Sequence, residues 1–231
     1  MAQVQTVNAT SVAVGSLTTA GITTTSGNLL VACVGYVTFS GNALAFLTDN
    51  KGNTLAPVVA SPSAISSPGA VAAMYVAQNI IGGSGHTFTA INSSYGALSI
   101  IVTEFSGRAV SNAVRASAAA LSAAYATSYA GASVACISGD DFACFGVNNI
   151  GNAAQAFTNG AGLTIPTNGN INGTTTTIPA LFQYAANVAT GTQTGAYSGS
   201  QFDQYASLSI ALEPVAAVSQ TGLLLTLLGV G

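Results

Sequence analysis

Short apolar runs alternate along the chain with residues that favour turns. The runs are rich in Val, Ile, Thr, Tyr and Phe, and Gly, Asn, Ser or Pro separates them. In the first half of the chain they occupy residues 29–39, 42–49, 54–60, 70–80, 86–91 and 97–105. Several alternate with a period of two, as in HTFTAI, where Phe88 would point inward and Thr87 and Thr89 outward. This pattern predicts an all-β protein, a jelly-roll-like β-sandwich.

One segment, residues 111–126, has two competing interpretations. Its many alanines favour a helix on propensity. Its near-alternating Ser, Thr and Tyr residues favour a linker followed by a strand. We prefer the strand, and the short helix stays an open alternative.

The sequence contains the same pattern twice. Four landmarks recur in the same order, about 110 residues apart. They are SGN at 26–28 and SGD at 138–140, GNTLAP at 52–57 and GLTIP at 162–166, AQNIIGG at 77–83 and AANVATG at 185–191, and YGALSI at 95–100 and YASLSI at 205–210. The landmarks predict two tandem homologous halves.

The predicted organisation has four parts. A first β-sandwich repeat spans residues 1–107, a connector 108–119, a second repeat 120–214 and an apolar C-terminal tail 215–231. Each repeat has the size of an immunoglobulin-like sandwich and could form a separate domain. We prefer one shared body, because no Pro-rich or charged linker divides the halves.

Charged residues are scarce, with three basic and six acidic side chains, or 4 % of the chain. Three basic residues do not form a surface that follows phosphates, so binding to nucleic acid is not expected. No apolar run reaches the ~18–20 residues of a membrane-spanning helix. A nearly uncharged surface promotes association, which suggests copies of the same chain as partners. The first residues lack the regions of a cleaved secretion signal, so synthesis in a cytoplasm is expected.

The stretch SGDDFACFG contains the only adjacent acids, Asp140 and Asp141, with Cys144 close behind. Such a pair suits a metal ion or acid–base chemistry. In the first copy, however, Asn28 and Leu29 occupy these positions. We therefore interpret Asp140 as a turn residue and Asp141 as the entrance of a strand.

His86 is the only histidine, so a Ser/His/Asp or Cys/His catalytic device would need it. We expect it on the surface or on an edge strand. Glu104 and its counterpart Glu213 are expected to bond neighbouring backbone or Arg108, since nothing in their spacing brings them together as a glycosidase pair.

The remaining polar candidates also favour structural roles. TDNKGNT at 48–54 superficially resembles a calcium loop, but Lys51 occupies a ligand position and no later acid closes it, so a hairpin turn is expected. Cys33 is expected to be buried. Cys136 and Cys144 are expected to face each other across a hairpin and to stay free in a reducing compartment. No catalytic residue, metal ligand or cofactor is predicted.

Two features concern partners. Sugars stack on aromatic side chains, and the chain has eight tyrosines for this role but no tryptophan. The tyrosines are Tyr36, Tyr75, Tyr95, Tyr125, Tyr129, Tyr184, Tyr197 and Tyr205. The apolar tail is expected to be an assembly element that adds to the sheet edge of another subunit, and the alternative is that it folds back over its own core. Its candidate residues are Leu223, Leu224, Leu225, Leu227 and Leu228.

The motifs SGNLLVACVGY, TDNKGNTLAP, YVAQNIIGGSGHTFT and LSIIVTEFSG follow one another in the first copy. Their order resembles a repeat unit of bacteriophage virion proteins and large bacterial surface proteins, in which GNLLVV, DSAGNTY, YAKNVAGG and EFSG succeed one another. The second copy is similar to this unit over a smaller part. The resemblance implies a non-enzymatic β-sandwich module of capsid-decoration, fibre or tail proteins.

The expected function is therefore that of a virion structural protein, assembled in the host cytoplasm from copies of itself and other virion proteins. The alternative is a glycan-binding or adhesive module of a bacterial cell surface, which a glycan array would distinguish. A hydrolase with an unrecognised site is the weakest alternative.

Overall fold

The computed structural model describes residues 2–38, 46–58, 63–64, 69–148, 155–174 and 176–215. Regular structure in these ranges consists of β-strands, which confirms the all-β prediction. Across the same ranges, no helix has the length and apolar character needed to cross a membrane.

The first half contributes nine strands within the described residues. They are β1 (Ala2–Thr18), β2 (Ile22–Thr24), β3 (Leu29–Thr38), β4 (Phe46–Asp49), β5 (Ala56–Pro57), β6 (Ser63–Ala64), β7 (Gly69–Ala77), β8 (Gly83–His86) and β9 (Phe88–Ser106). The main sheet has the order β1-β9-β3-β7-β5, with β4 paired to β9 and β6 to β7, while β2 and β8 form a separate pair.

The second half contributes eight strands within the described residues. They are β10 (Val114–Tyr129), β11 (Ser133–Cys136), β12 (Asp141–Asn148), β13 (Phe157–Asn159), β14 (Asn170–Ile171), β15 (Ala180–Ala185), β16 (Gly191–Thr194) and β17 (Tyr197–Leu212). The main sheet has the order β10-β17-β12-β15-β14, with β13 paired to β17, while β11 and β16 form a separate pair.

The two sheets therefore repeat one topology, and matching turns adopt the same backbone conformation. Gly27 and Gly139 have φ angles of 86° and 92°, where a side chain would be strained. Asn79 and Asn187 both have a φ of 50°, which non-glycine residues seldom adopt. The amide of Gly27 donates to the carbonyl of Ile80 at 3.0 Å, and Gly139 donates to Val188 at 3.1 Å. The predicted internal repeat is confirmed.

A central core contains side chains of both halves. β3 has neighbours on both sides and is buried on both faces, which explains its continuous apolar run. Its side chains alternate: Val31 and Cys33 belong to the central core, and Leu30 and Val34 to the outer core of the first half. The second half supplies Ala143, Phe145, Val147, Phe182, Leu208, Ile210 and Leu212 to the central core.

The fourth landmark is out of register although its strands correspond. Leu98 of YGALSI lies in the outer core of the first half, whereas Leu208 of YASLSI lies in the central core. Backbone pairing makes Phe105 and Leu212 equivalent. Phe105 lies opposite Leu29, and Leu212 lies opposite Asp141, the counterpart of Leu29. Because successive side chains point to opposite faces, an odd shift in alignment moves every residue to the wrong face.

The alanine-rich segment 111–126 is largely strand, so the helix interpretation is wrong. β10 pairs with β17 from Val114 to Tyr129, and this tertiary pairing overrides the helix propensity of alanine. The strand begins inside the range predicted as a connector. The domain boundaries at 107, 119 and 214 stay predictions.

Candidate assembly surface and buried polar sites

The longest exposed strand edges belong to β1 and β10, which end their sheets. Among the described residues each has a strand partner on one side, β9 for β1 and β17 for β10. Edge strands expose unpaired backbone groups, and proteins usually block them with charges, prolines or short length. β1 has 17 residues without a charge or proline, and β10 has 16 with Arg115 as its one charge. Both edges lack the usual protection.

The second half covers part of the β1 edge. The Asn8 amide donates to the carbonyl of Asn168 at 2.9 Å, and the Asn168 amide donates to the carbonyl of Thr6 at 3.2 Å. On β10, Leu121 and Tyr125 are 51 % and 52 % exposed. β1 also carries exposed apolar side chains, Val4 and Val12 at 45 % and 44 %, so the two edges differ in the cover that the second half gives to β1.

A groove of about 390 Å³ lies where the start of β10 faces the flank of the first half. We call it the flank groove. Its apolar wall includes Pro57, Val58 and Val76 of the first half. Its full lining consists of Ala56, Pro57, Val58, Val76, Gln78, Asn112, Val114, Arg115, Ala116 and Ser117.

Arg115 at the rim of the flank groove is held by two acids. Its Nε lies 2.9 Å from Asp140 Oδ2, and its Nη1 lies 3.3 Å from Glu213 Oε1. The one charge of β10 is therefore neutralised within the molecule. The tail leucines predicted as assembly residues, Leu223, Leu224, Leu225, Leu227 and Leu228, lie outside the described residues.

Asp140 and Asp141 have the structural positions predicted for them. Asp140 closes the turn by accepting from the amide of Ile137 at 2.9 Å, and Asp141 is the first residue of β12. The two carboxylates bind different arginines, since Asp141 Oδ2 lies 2.7 Å from Arg108 Nη2. Within the described ranges, no three His, Cys, Asp or Glu side chains cluster closely enough to hold a metal ion.

The Arg108–Asp141 ion pair is buried, with side-chain exposures of 0 % and 2 %. Burial raises the pKa of Asp141, although a hydrogen bond donated by the backbone amide of Asn187 and the charge of Arg108 oppose the shift. Burial likewise lowers the pKa of Arg108, against the attraction of the nearby aspartates. Each charge is costly in this position without the other.

His86 is fully buried, so the prediction of a surface position is wrong, whereas its strand β8 is an edge strand as expected. Its Nδ1 lies 2.7 Å from Thr24 Oγ1 and its Nε2 2.9 Å from Asp49 Oδ2, and its ring packs on Phe88. The imidazole can be buried because both of its ring nitrogens have hydrogen-bond partners. The order Thr–His–Asp resembles a catalytic triad, but the hydroxyl of Thr24 is buried as well.

A turn follows Asp49 and closes on Asp49 itself, but it is not the predicted hairpin, because β4 pairs with β9 and β5 with β7. Asp49 Oδ1 accepts from the amides of Lys51, Gly52 and Asn53 at 3.1, 2.8 and 3.0 Å. Burial acts to raise the pKa of Asp49, but hydrogen bonds from Asn53, His86 and backbone amides outweigh it, and the pKa lies below its usual value.

Replacement of Asp49 by asparagine tests this cluster. The lowered pKa stabilises the fold above the unfolded-state pKa, and this stabilisation is lost as pH falls through the folded-state pKa. Asp49→Asn is expected to lower the free energy of unfolding at pH 7 by about 1–3 kcal/mol. The difference from wild type should shrink below about pH 4, which urea unfolding between pH 7 and pH 2 measures. Thr24→Val, which keeps the carboxylate, should retain the pH dependence; a constant Asp49→Asn difference contradicts the assignment.

Glu104 has the structural role predicted for it and bonds backbone, as one of the two predicted alternatives states. Its Oε1 accepts from the amide of Thr25 at 2.8 Å and from Asn28 Nδ2 at 2.6 Å, and its Oε2 accepts from Gln5. The alternative partner Arg108 binds Asp141 instead. Glu104 therefore fixes the first-half turn whose second-half counterpart is closed by Asp140.

The three cysteines are free and buried. Cys136 and Cys144 do not face each other across a hairpin, because β11 pairs with β16 and β12 with β15 and β17. Both lie in one buried cluster with Phe142. Burial raises the pKa of Cys144 to about 12 and that of Cys33 well above its usual value, which makes their thiolates scarce at neutral pH.

Most tyrosines are part of the interior. Tyr129, Tyr197 and Tyr205 pack together, with ring centroids 4.8–6.3 Å apart. Among tyrosines whose side chains the structure describes, Tyr125 is the one in an exposed position. An aromatic platform for sugars is therefore limited, in these residues, to Tyr125 and the partly buried Tyr75 and Tyr184.

Comparisons with protein-family models, curated proteins and solved structures found no match to this chain.

Proposed function

We propose that this chain is a non-enzymatic structural protein, a bacteriophage virion component that acts by self-assembly and docking. A capsid decoration, fibre or tail protein would fit. The observation that carries the proposal is the edge of β10, whose outer side has no strand partner among the described residues and which has exposed Leu121 and Tyr125 and an internally neutralised Arg115. The four-motif resemblance supports the virion context, with assembly in the host cytoplasm.

The proposed contacts are neutral, which gives them a measurable signature. Strand addition supplies main-chain hydrogen bonds, and the exposed apolar side chains add burial. Association steered by opposite charges weakens as salt screens it. Association of this chain is therefore expected to change little between low and high salt.

Leu121→Lys tests the edge directly. A lysine at this outward position leaves a charge without a partner in a neutral contact, so we expect self-association to weaken at least about tenfold, equivalent to ~1.4 kcal/mol. Light scattering over a concentration series, with electron microscopy of the particles, measures the change. Thr192→Lys adds the same charge at an exposed position on β16 and should leave association unchanged. Equal particle mass for Leu121→Lys and wild type would refute the role of β10.

A further inference from the structure

We infer that the outward face of the sheet where β1, β9 and β4 lie side by side is a binding site for a neutral saccharide, with Phe46 as its stacking platform. This binding function adds to the proposed self-assembly and does not depend on it.

Strand pairing builds this face from two rows of side chains. The rows are Ser16–Ile91–Phe46 and Thr18–Thr89–Thr48. The residues between the rows, Leu17, Ala90 and Leu47, belong to the outer core of the first half or pack against it. Because successive side chains of a strand point to opposite faces, the six side chains of the two rows point outward. We call these six side chains the Phe46 face.

The Phe46 face combines an apolar platform with hydroxyl groups. Phe46 is 63 % exposed, and its neighbour Ile91 is 46 % exposed. The hydroxyl oxygens of Thr18 and Thr89 lie 2.8 Å apart, and Thr48 Oγ1 lies 3.5 Å from the carbonyl oxygen of Thr89. Each hydroxyl group has one donor and two acceptor positions, so the row keeps hydrogen-bonding capacity for a ligand.

The repeat identifies the corresponding residues of the second half. Strand β13 corresponds to β4, since each pairs with the long strand next to the sheet edge. The turns that follow align at Gly52 and Gly162, which both adopt a positive φ and lie 162 − 52 = 110 residues apart. With this offset Leu47 corresponds to Phe157, and both side chains are buried.

The fold does not require the apolar side chains of the Phe46 face. Ala156 takes the place of Phe46 in the second half. Ser200, whose amide donates to the carbonyl of Ala156, takes the place of Ile91. The hydroxyl row is kept as Ser128–Ser198–Thr158. The first half therefore adds an aromatic ring and an aliphatic side chain to a row that both halves have, which indicates binding rather than packing.

The chemistry of the Phe46 face selects a neutral ligand with many hydroxyl groups. None of its six side chains is charged, so an ionic ligand gains no charged partner here. The C–H groups of a pyranose ring are attracted to the negative face of an aromatic ring. The hydroxyl groups of the same sugar match the donors and acceptors of the threonines. A pyranose with equatorial hydroxyl groups fits best, because both faces of its ring expose C–H groups.

The size of the Phe46 face favours a saccharide over a second copy of the chain. Three neighbouring strands span about 10 Å, and the two rows lie about 7 Å apart along the strands. These dimensions match one or two pyranose rings. A protein–protein interface of standard size uses roughly 20–30 residues on each side, whereas the Phe46 face has six.

Binding of the full-length protein to an oligosaccharide array, followed by calorimetric titration with cellotetraose, tests the inference. The array carries neutral gluco-oligosaccharides and their uronic-acid counterparts, and we expect binding to the neutral ones. Phe46→Ala, which gives the first half the side chain of the second, should weaken cellotetraose binding at least about tenfold. Phe46→Trp should retain binding, since the indole offers a larger aromatic face. Tyr125→Ala removes an exposed aromatic side chain on β10 and should leave binding unchanged.

Three results would overturn the inference. They are the absence of binding to every neutral oligosaccharide, a preference for the acidic ones, and equal cellotetraose affinity of Phe46→Ala and wild type. Light scattering on the same variants separates this inference from the proposed function. Weaker self-association of Phe46→Ala without saccharide binding would make the Phe46 face a contact between copies. The role of β10 in assembly is measured independently by Leu121→Lys.

Discussion

Arg108→Ala is expected to lower the free energy of unfolding by about 3–5 kcal/mol, the typical cost of removing one partner of a buried ion pair. The substitution leaves the Asp141 carboxylate buried without its cation, and the carbonyl of Leu212 loses a donor at 2.8 Å. Chemical denaturation at pH 7 measures the loss. Arg115→Ala is the matched control, because its guanidinium is 30 % exposed and should cost less.

The repeat provides a second, sharper control. Leu29 occupies in the first half the position that Asp141 occupies in the second. The double variant Arg108→Met, Asp141→Leu replaces the ion pair with apolar side chains and should recover most of the stability. A loss below about 1 kcal/mol for Arg108→Ala would contradict the assignment, since that is the cost of an exposed pair.

Phe105→Ala is expected to destabilise the protein by about 3–5 kcal/mol, as a large cavity in a well-packed core does. Phe105 belongs to the first half, but its ring contacts two rings of the second. Its centroid lies 6.3 Å from that of Phe182 and 5.7 Å from that of Tyr184, both in edge geometry. Because the central core is shared, both halves should unfold together in a single transition at a lower denaturant concentration.

Phe105→Leu is the matched control, since it keeps most of the apolar volume and should cost less. Thermal unfolding followed by far-UV and near-UV circular dichroism distinguishes the alternatives. Two separate transitions, with only the first shifted by Phe105→Ala, would show that the halves are independent domains.

The parts of the fold that were predictable depend on local rules. SGN and SGD mark turns because Gly27 and Gly139 adopt positive φ, and Asn79 and Asn187 repeat because asparagine tolerates the left-handed region. The strand register at YGALSI and YASLSI was not predictable in this way. Identical residues in two aligned motifs do not reveal which face of the sheet each side chain occupies. The fold depends on that face.

The candidate sites show the same division. The turn role of Asp140 could be predicted from its counterpart Asn28. Its ion pair with Arg115 could not, because it joins residues that are distant in the sequence. His86 was misplaced because burial requires partners from two other segments, Thr24 and Asp49. The sequence does carry one signal of the β10 edge: residues 114–129 contain a single charge, which is unusual for an exposed edge strand.

The most direct test of the account is the mass of the purified full-length protein across a dilution series, measured by light scattering and imaged by electron microscopy. The account predicts particles of several copies that persist in high salt. A single-chain particle at every concentration would contradict it.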